Sequence, residues 1–326
     1  MCALTTTRPP YDADLEPIVA AIMEQAQPLT TENLEAVREA ARDGIPGQEA
    51  TDFTVGGSVL VKDLRIPGPT GAPDVAVTVL SPADPRPGLT GILHIHGGGM
   101  VAGTRMFGLE DYLPYVAEGD AVVVTVDYRL APEHPDPAPV EDTYAALVWM
   151  ARAATELGID ERRLIVAGRS AGAGLAAGTV LKARDQGHPY IAHQVLDSPM
   201  LDDRMQTSSS QMLDGDGPWD RNDNLFGWTA LLGERRGGPG VSPYAAPARA
   251  TDLTGLPRTY LSVGTADIFR DETVAYAQRL SEAGILVDLH LWGGGFHGYD
   301  LVVPDAPISR ATSNARDEFM RRAIRR

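Results

Sequence analysis

Residues 168–172 read Gly-Arg-Ser-Ala-Gly and follow directly on the apolar run Leu164-Ile165-Val166-Ala167. A strand that runs into a Gly-x-Ser-x-Gly segment is the signature of a serine held on a sharp strand-to-helix turn, its hydroxyl raised for nucleophilic attack on an acyl carbon. Ser170 is the candidate nucleophile. In a chain with 34 glycines this pattern is weak alone, so acyl-transfer chemistry requires three further parts: an oxyanion hole, a base and an acid that orients the base.

His96-Gly97-Gly98-Gly99 follows a predicted strand over 91–95 and supplies the first part, because glycine lets backbone N–H groups approach a substrate oxygen unobstructed. The expected donors are Gly98, Gly99 and Ala171, the last because the residue after the nucleophile opens a helix with its amide free. The plain alternative for the triple glycine is a surface loop. Among seven histidines, His94 and His290 lie inside strand patterns, His134 and His188 sit beside prolines, and His193 begins a strand. His297, after the last strand in Gly293-Gly294-Gly295-Phe296-His297-Gly298, is free to reach the serine from a loop as general base. Asp267 lies between serine and histidine in chain order, a short loop beyond a predicted strand, and is the expected orienting acid. Asp271 and Glu272 are neighbouring alternatives, better suited to opening the next helix.

These groups need a scaffold that brings them to one edge. Short amphipathic helices are predicted over 15–25 and 34–42, and two antiparallel strands between 53 and 80. Beyond Pro82, apolar runs at 91–95, 121–126, 164–167, 195–196, 259–263 and 287–291 alternate with helical patterns at 110–117, 140–156, 171–184, 272–283 and 309–325. Such alternation predicts an α/β fold with a mostly parallel sheet covered on both faces. Residues 202–247 break the rhythm and read as an insertion, either a lid or a minor helical pair on the domain edge. The expected organisation is N-terminal cap helices over 1–50, a catalytic core over 51–201 and 248–326, and a cap insertion over 202–247.

Composition limits the partners. The 326 residues are 43% apolar and 22% charged, and no apolar run is long enough to cross a bilayer. A formal net charge of −16 opposes binding to nucleic acid and to anionic membranes. The first residues lack a positive end followed by an apolar stretch, and Cys2 is the single cysteine, so a cytoplasmic protein without an internal disulfide is expected.

Five segments together resemble the hormone-sensitive-lipase-like carboxylesterases of the α/β-hydrolase superfamily, over nearly the whole chain. They are His96 to Gly99, Tyr128-Arg129-Leu130-Ala131-Pro132-Glu133-His134-Pro135, the Ser170 turn, Gly264-Thr265-Ala266-Asp267-Ile268-Phe269-Arg270-Asp271-Glu272, and His297-Gly298-Tyr299. The resemblance implies an α/β-hydrolase fold with a helical cap, cleavage of small-molecule esters with short to medium acyl chains, no cofactor and, in many members, a homodimer. Met100, Tyr128, Trp219, Phe226, Trp228 and Tyr299 fall in segments expected at the mouth of the site and are the candidate substrate contacts. Two positions depart from the family pattern. Arg169 stands where the family usually has aspartate, and Ala173 where it usually has glycine. A guanidinium at 169 is expected either to lower the pKa of His297 and attract anionic substrates, or to point away and pair with a carboxylate such as Asp127 or Glu133.

Other chemistries fit less well. Gly172-Ala173-Gly174-Leu175-Ala176-Ala177 with Asp197 matches a dinucleotide fingerprint, but its first glycine falls inside the helix rather than at the strand end. His94-x-His96 places two imidazoles on one strand face without a further ligand cluster, so no metal is expected. The same triad would serve an amidase or a lactonase. A ligand-binding protein on the same fold would be expected to have lost a triad member.

Overall fold

The computed structural model describes residues 7–43 and 51–325; Cys2 and the end of the expected N-terminal cap segment lie outside them. The strands are β1 (Val59–Ile66), β2 (Val75–Pro82), β3 (Leu89–Ile95), β4 (Ala121–Asp127), β5 (Ile159–Arg169), β6 (His193–Asp197), β7 (Arg258–Gly264) and β8 (Val287–Trp292). The helices are α1 (Glu16–Met23), α2 (Leu34–Asp43), α3 (Leu113–Ala117), α4 (Ala138–Arg152), α5 (Ala154–Leu157), α6 (Ala171–Gln186), α7 (Arg221–Leu232), α8 (Arg270–Glu282), α9 (Tyr299–Val302) and α10 (Pro307–Ile324). One sheet runs in the order β1-β2-β4-β3-β5-β6-β7-β8. Strand β2 is antiparallel to both neighbours, and every later pairing is parallel.

The period-two geometry of a strand explains how this sheet is covered. Leu93, Val124, Val166, Leu196 and Leu261 pack with Leu147 of α4, Leu175 of α6 and Leu280 of α8. Their chain neighbours Ile92, Val123, Ile165, Val195 and Tyr260 pack on the other face with Val116 of α3 and Phe319 and Met320 of α10. Strands buried on both faces must be apolar at successive positions, which is why these read as runs rather than as alternations. At the open edge, β1 is mostly exposed and carries Lys62, Asp63 and Arg65, charges that discourage pairing with another sheet.

Three elements differ from the sequence pattern. The helix expected over 140–156 is divided into α4 and α5, and that expected over 110–117 begins as a 3-10 turn, Leu109–Tyr112, before α3. Pro114 accounts for the second difference: it has no N–H to continue a preceding turn and suits the first turn of a new helix. Helix α7 falls in the segment read as a lid or a minor helical pair, where the pattern sets no helix bounds, although its start is marked. The Asp220 side chain accepts the N–H groups of Asn222 and Asp223, an aspartate cap among the glycines and prolines that dominate the segment.

Parallel strands of one sheet end on one side. The loops after β3, β5, β7 and β8 therefore share the carboxyl edge, where open α/β sheets place their chemistry. The N-terminal segment and residues 202–247 meet beside it, through an Arg8–Asp216 ion pair and a Leu29 N–H donated to Asp223.

Candidate active site

Ser170 closes β5 and caps α6 with φ 58° and ψ −126°, a backbone conformation that costs a non-glycine residue on the order of 1–3 kcal/mol and persists only when over-determined by its surroundings. The restraints are visible. Its N–H donates to the Asp197 carbonyl at 2.8 Å, and its carbonyl accepts from Ala173, Gly174 and Met200. A Cβ at Gly172 would lie 2.1 Å from the Ile95 carbonyl oxygen, so α6 seats against the end of β3 only with glycine there. Ala173 is fully buried and fits despite its departure from the family pattern.

The serine Oγ lies 2.9 Å from His297 Nε2, and His297 Nδ1 lies 2.8 Å from Asp267 Oδ2. Asp267 is fully buried, and its second oxygen accepts the Phe269 N–H at 2.9 Å. An ionised carboxylate only accepts, so Nδ1 carries the hydrogen and Nε2 presents its lone pair to the serine hydroxyl. The two loops are tied together upstream of the imidazole. Ala266 N–H donates to the Gly295 carbonyl and Gly294 N–H to Thr265 Oγ1. Asp271 pairs with Arg270, and Glu272 accepts from Leu201 and Asp202, so these two carboxylates serve the local scaffold.

The glycine loop lies against Ser170. A Cβ at Gly97 would sit 3.2 Å from that of Ser170, while Gly98 and Gly99 adopt φ 112° and 62°. Behind the loop, the His96 ring stacks on Tyr128 at 4.3 Å and donates from Nδ1 to the Gly97 carbonyl, while the Tyr128 hydroxyl donates to the His96 carbonyl. On the same strand, His94 Nδ1 bonds Thr125. Burial lowers the pKa of His96 from 6.5 to about 4 and that of His94 to about 3. Both imidazoles fold in the neutral form. Between these values the unfolded chain binds more protons than the folded one, the difference approaching two near pH 5, so stability should fall with pH below about 6.5, most steeply near pH 5, by up to about 3 kcal/mol per pH unit. Urea unfolding at pH 7, 6 and 5 tests this, with the slope reduced by about one proton in His94→Asn; equal slopes in the two proteins would contradict it.

A family model for the α/β-hydrolase fold matches residues 92–301. Esterase LipI of Mycobacterium tuberculosis is 35% identical over 84% of this chain and 85% of its own length. The chain belongs to the hormone-sensitive-lipase-like carboxylesterases. Carboxylesterase NlhH of the same organism is also 35% identical, over 76% of this chain and 80% of its own. The solved structure of a bacterial heroin esterase superposes with a TM-score of 0.86 and 40% identity, covering 95% of this chain and 98% of that one.

Within this esterase the six expected substrate contacts separate. Trp219 lies over the glycine loop: a Cβ at Gly99 would fall 2.4 Å from its ring edge, and its ring centroid is 6.4 Å from that of His297. Phe226 is partly buried on α7, where Gly227 closes against the Gly99 carbonyl. The other four are core residues rather than residues of the mouth. Trp228 is fully buried on α7, and Met100 is fully buried with its methyl near Gly174. Tyr128 braces the glycine loop. Tyr299 packs with Leu15, Val19 and Phe296 and bonds Thr312 through its hydroxyl. Aromatic residues with a polar tip fill cores when that tip finds a partner, as Tyr128 and Tyr299 do.

Arg169 takes the second of its two expected forms, paired with carboxylates, but its partners are Asp300 and Asp111. Asp127 and Glu133 are held by Arg105 and Arg38. The guanidinium is thus engaged in a buried cluster rather than directed at a substrate. Asp197, considered above for ribose binding, belongs to the same cluster through Arg316.

Proposed function

We propose that this carboxylesterase cleaves esters of short to medium acyl chains through an acyl-enzyme on Ser170, with His297 as general base and acid and Asp267 as its orienting partner. The observation that carries the reading is the continuous chain of contacts from Ser170 Oγ to His297 Nε2 at 2.9 Å and from His297 Nδ1 to Asp267 at 2.8 Å. As Oγ attacks the acyl carbon, Nε2 takes the hydroxyl proton, and the carbonyl oxygen becomes an oxyanion within reach of the N–H groups of Gly98, Gly99 and Ala171. The imidazolium, stabilised by Asp267, then protonates the departing alkoxide. In the second half, His297 takes a proton from water, whose oxygen attacks the acyl carbon; carboxylic acid leaves and Ser170 regains its proton.

Residues 7–43 and 202–247 act together as the cap in this reading, with Trp219 and Phe226 as walls of the acyl pocket. A cytoplasmic homodimer also belongs to it. The dimer is supported by β8, which pairs on one side only among the described residues and exposes Leu289 and Leu291; light scattering tests it.

A chain-length series of nitrophenyl esters with one anionic member is the direct experiment. Turnover should peak among short to medium chains, and the anionic ester should gain no advantage, since Arg169 is already paired. Absence of turnover across the series would refute the reading. Gly99→Ala tests the oxyanion donors, because its Cβ meets Trp219 and its φ of 62° is unfavourable for alanine. A fall of about 10²–10³ in kcat is expected from displacing one donor; an unchanged kcat would remove Gly99 from that role.

A further inference from the structure

Beneath the nucleophile, five charged side chains from five separate segments form one buried cluster. Arg169, at the end of β5, makes a two-pronged contact with Asp300, Nη1 to Oδ1 at 2.7 Å and Nη2 to Oδ2 at 2.9 Å, and reaches Asp111 at 3.2 Å. Arg316 of α10 joins Asp111 at 2.7 Å and both Asp197 and Asp300 at 3.2 Å. The side chains of Asp300, Asp197 and Arg316 are no more than 5% exposed. Burial opposes the charge on Asp300, but Arg169 and Arg316 outweigh it and hold the carboxyl below the ordinary carboxylate range.

The placement of this cluster relates it to catalysis. Arg169 is the residue before Ser170. Asp197 supplies, through its backbone carbonyl, the acceptor for the Ser170 N–H. Asp300 lies three residues beyond His297, separated from it by Gly298 at φ 77° and the start of the short helix α9. The hydrogen bonds between the β7 and β8 loops fix the chain before His297, whereas the Asp300 contact fixes it after. We propose that Arg169 and Asp300 are positioning residues, whose buried two-pronged pair sets the distance between the strand that carries the nucleophile and the loop that carries the base. Arg316 clamps Asp300 and Asp197 from the opposite side. The proposal rests on Ser170 and His297 being nucleophile and base. A planar fork matched to a carboxylate fixes both distance and orientation, which a point charge does not.

A displacement of about 1 Å at reacting groups costs roughly 10²-fold in rate. Asp300→Asn keeps the shape but loses one acceptor and the charge. It should lower kcat and the rate of fluorophosphonate labelling by about 10²-fold, with KM changed less than about threefold. Arg169→Lys should act alike, and the double variant should be little worse than either single one, as expected for residues that act as a unit. Arg169→Lys also keeps the test open if Asp300→Asn does not fold. Arg249→Lys, which weakens the two-pronged buried pair of Arg249 with Asp203, is the control and should lower the melting temperature without changing kcat. The proposal fails if the folded cluster variants keep wild-type kcat and labelling rate, or if Arg249→Lys lowers kcat equally. Failure of the Ser170 assignment looks different: the wild-type protein itself would then not be labelled at Ser170.

Discussion

Ser170→Ala should lower kcat by about 10⁶-fold while leaving the fold intact. Members of such a triad act as a unit, so removing the nucleophile costs nearly as much as removing all three, and what remains comes from binding and the oxyanion donors. The strained turn is held by backbone contacts of Ser170 with Asp197, Ala173, Gly174 and Met200, none of which uses the hydroxyl, and alanine adds no atom to a side chain that is 7% exposed as serine. The melting temperature should therefore be nearly unchanged. Stopped assays with a nitrophenyl ester, on protein purified free of other esterases, measure the loss; turnover within tenfold of wild type would exclude Ser170 as nucleophile.

Asp267→Asn should cost about 10⁴-fold in kcat, more than its small change in shape suggests. The carboxamide has one acceptor and one donor end. Because Asp267 Oδ1 accepts the Phe269 N–H, the amide oxygen belongs there, which turns the NH₂ group towards His297 Nδ1. Nδ1 must then be the acceptor and Nε2 must carry the hydrogen, so the imidazole meets the serine hydroxyl with a donor and cannot take its proton. Binding is little affected, and KM should stay within a few-fold of wild type. A kcat within tenfold of wild type in a folded Asp267→Asn protein would show that the carboxylate does not set the tautomer.

Position 169 shows where a local reading of sequence stops. An arginine beside Ser170 invites an account in terms of its charge acting on His297 or on an anionic substrate. In the folded chain the guanidinium is spent on Asp300, 131 positions away, and on Asp111, 58 positions away. No periodicity or turn signal relates residues at such separations. The aromatic residues make the same point. Trp219 and Trp228 lie in one segment, yet one covers the Gly99 loop and the other is enclosed in the core, because Trp219 stands in the turn before the Asp220 cap whereas Trp228 lies on the buried side of α7.

What the sequence determined by itself was the alternation of strands and helices that builds a mostly parallel, doubly covered sheet, and the glycine-flanked serine turn at its edge. Those features depend on short-range rules: apolar runs where both faces of a strand are covered, a strained serine turn flanked by small residues, and glycines where backbone must approach backbone. The tertiary structure alone decided which aromatic side chains face the site, which carboxylates neutralise Arg169, and how Asp197 and Asp300 are drawn beneath Ser170 and His297. Those outcomes depend on the sheet order, which sets β5, β6 and β7 side by side and closes α10 across them, bringing together charges that the chain itself keeps far apart.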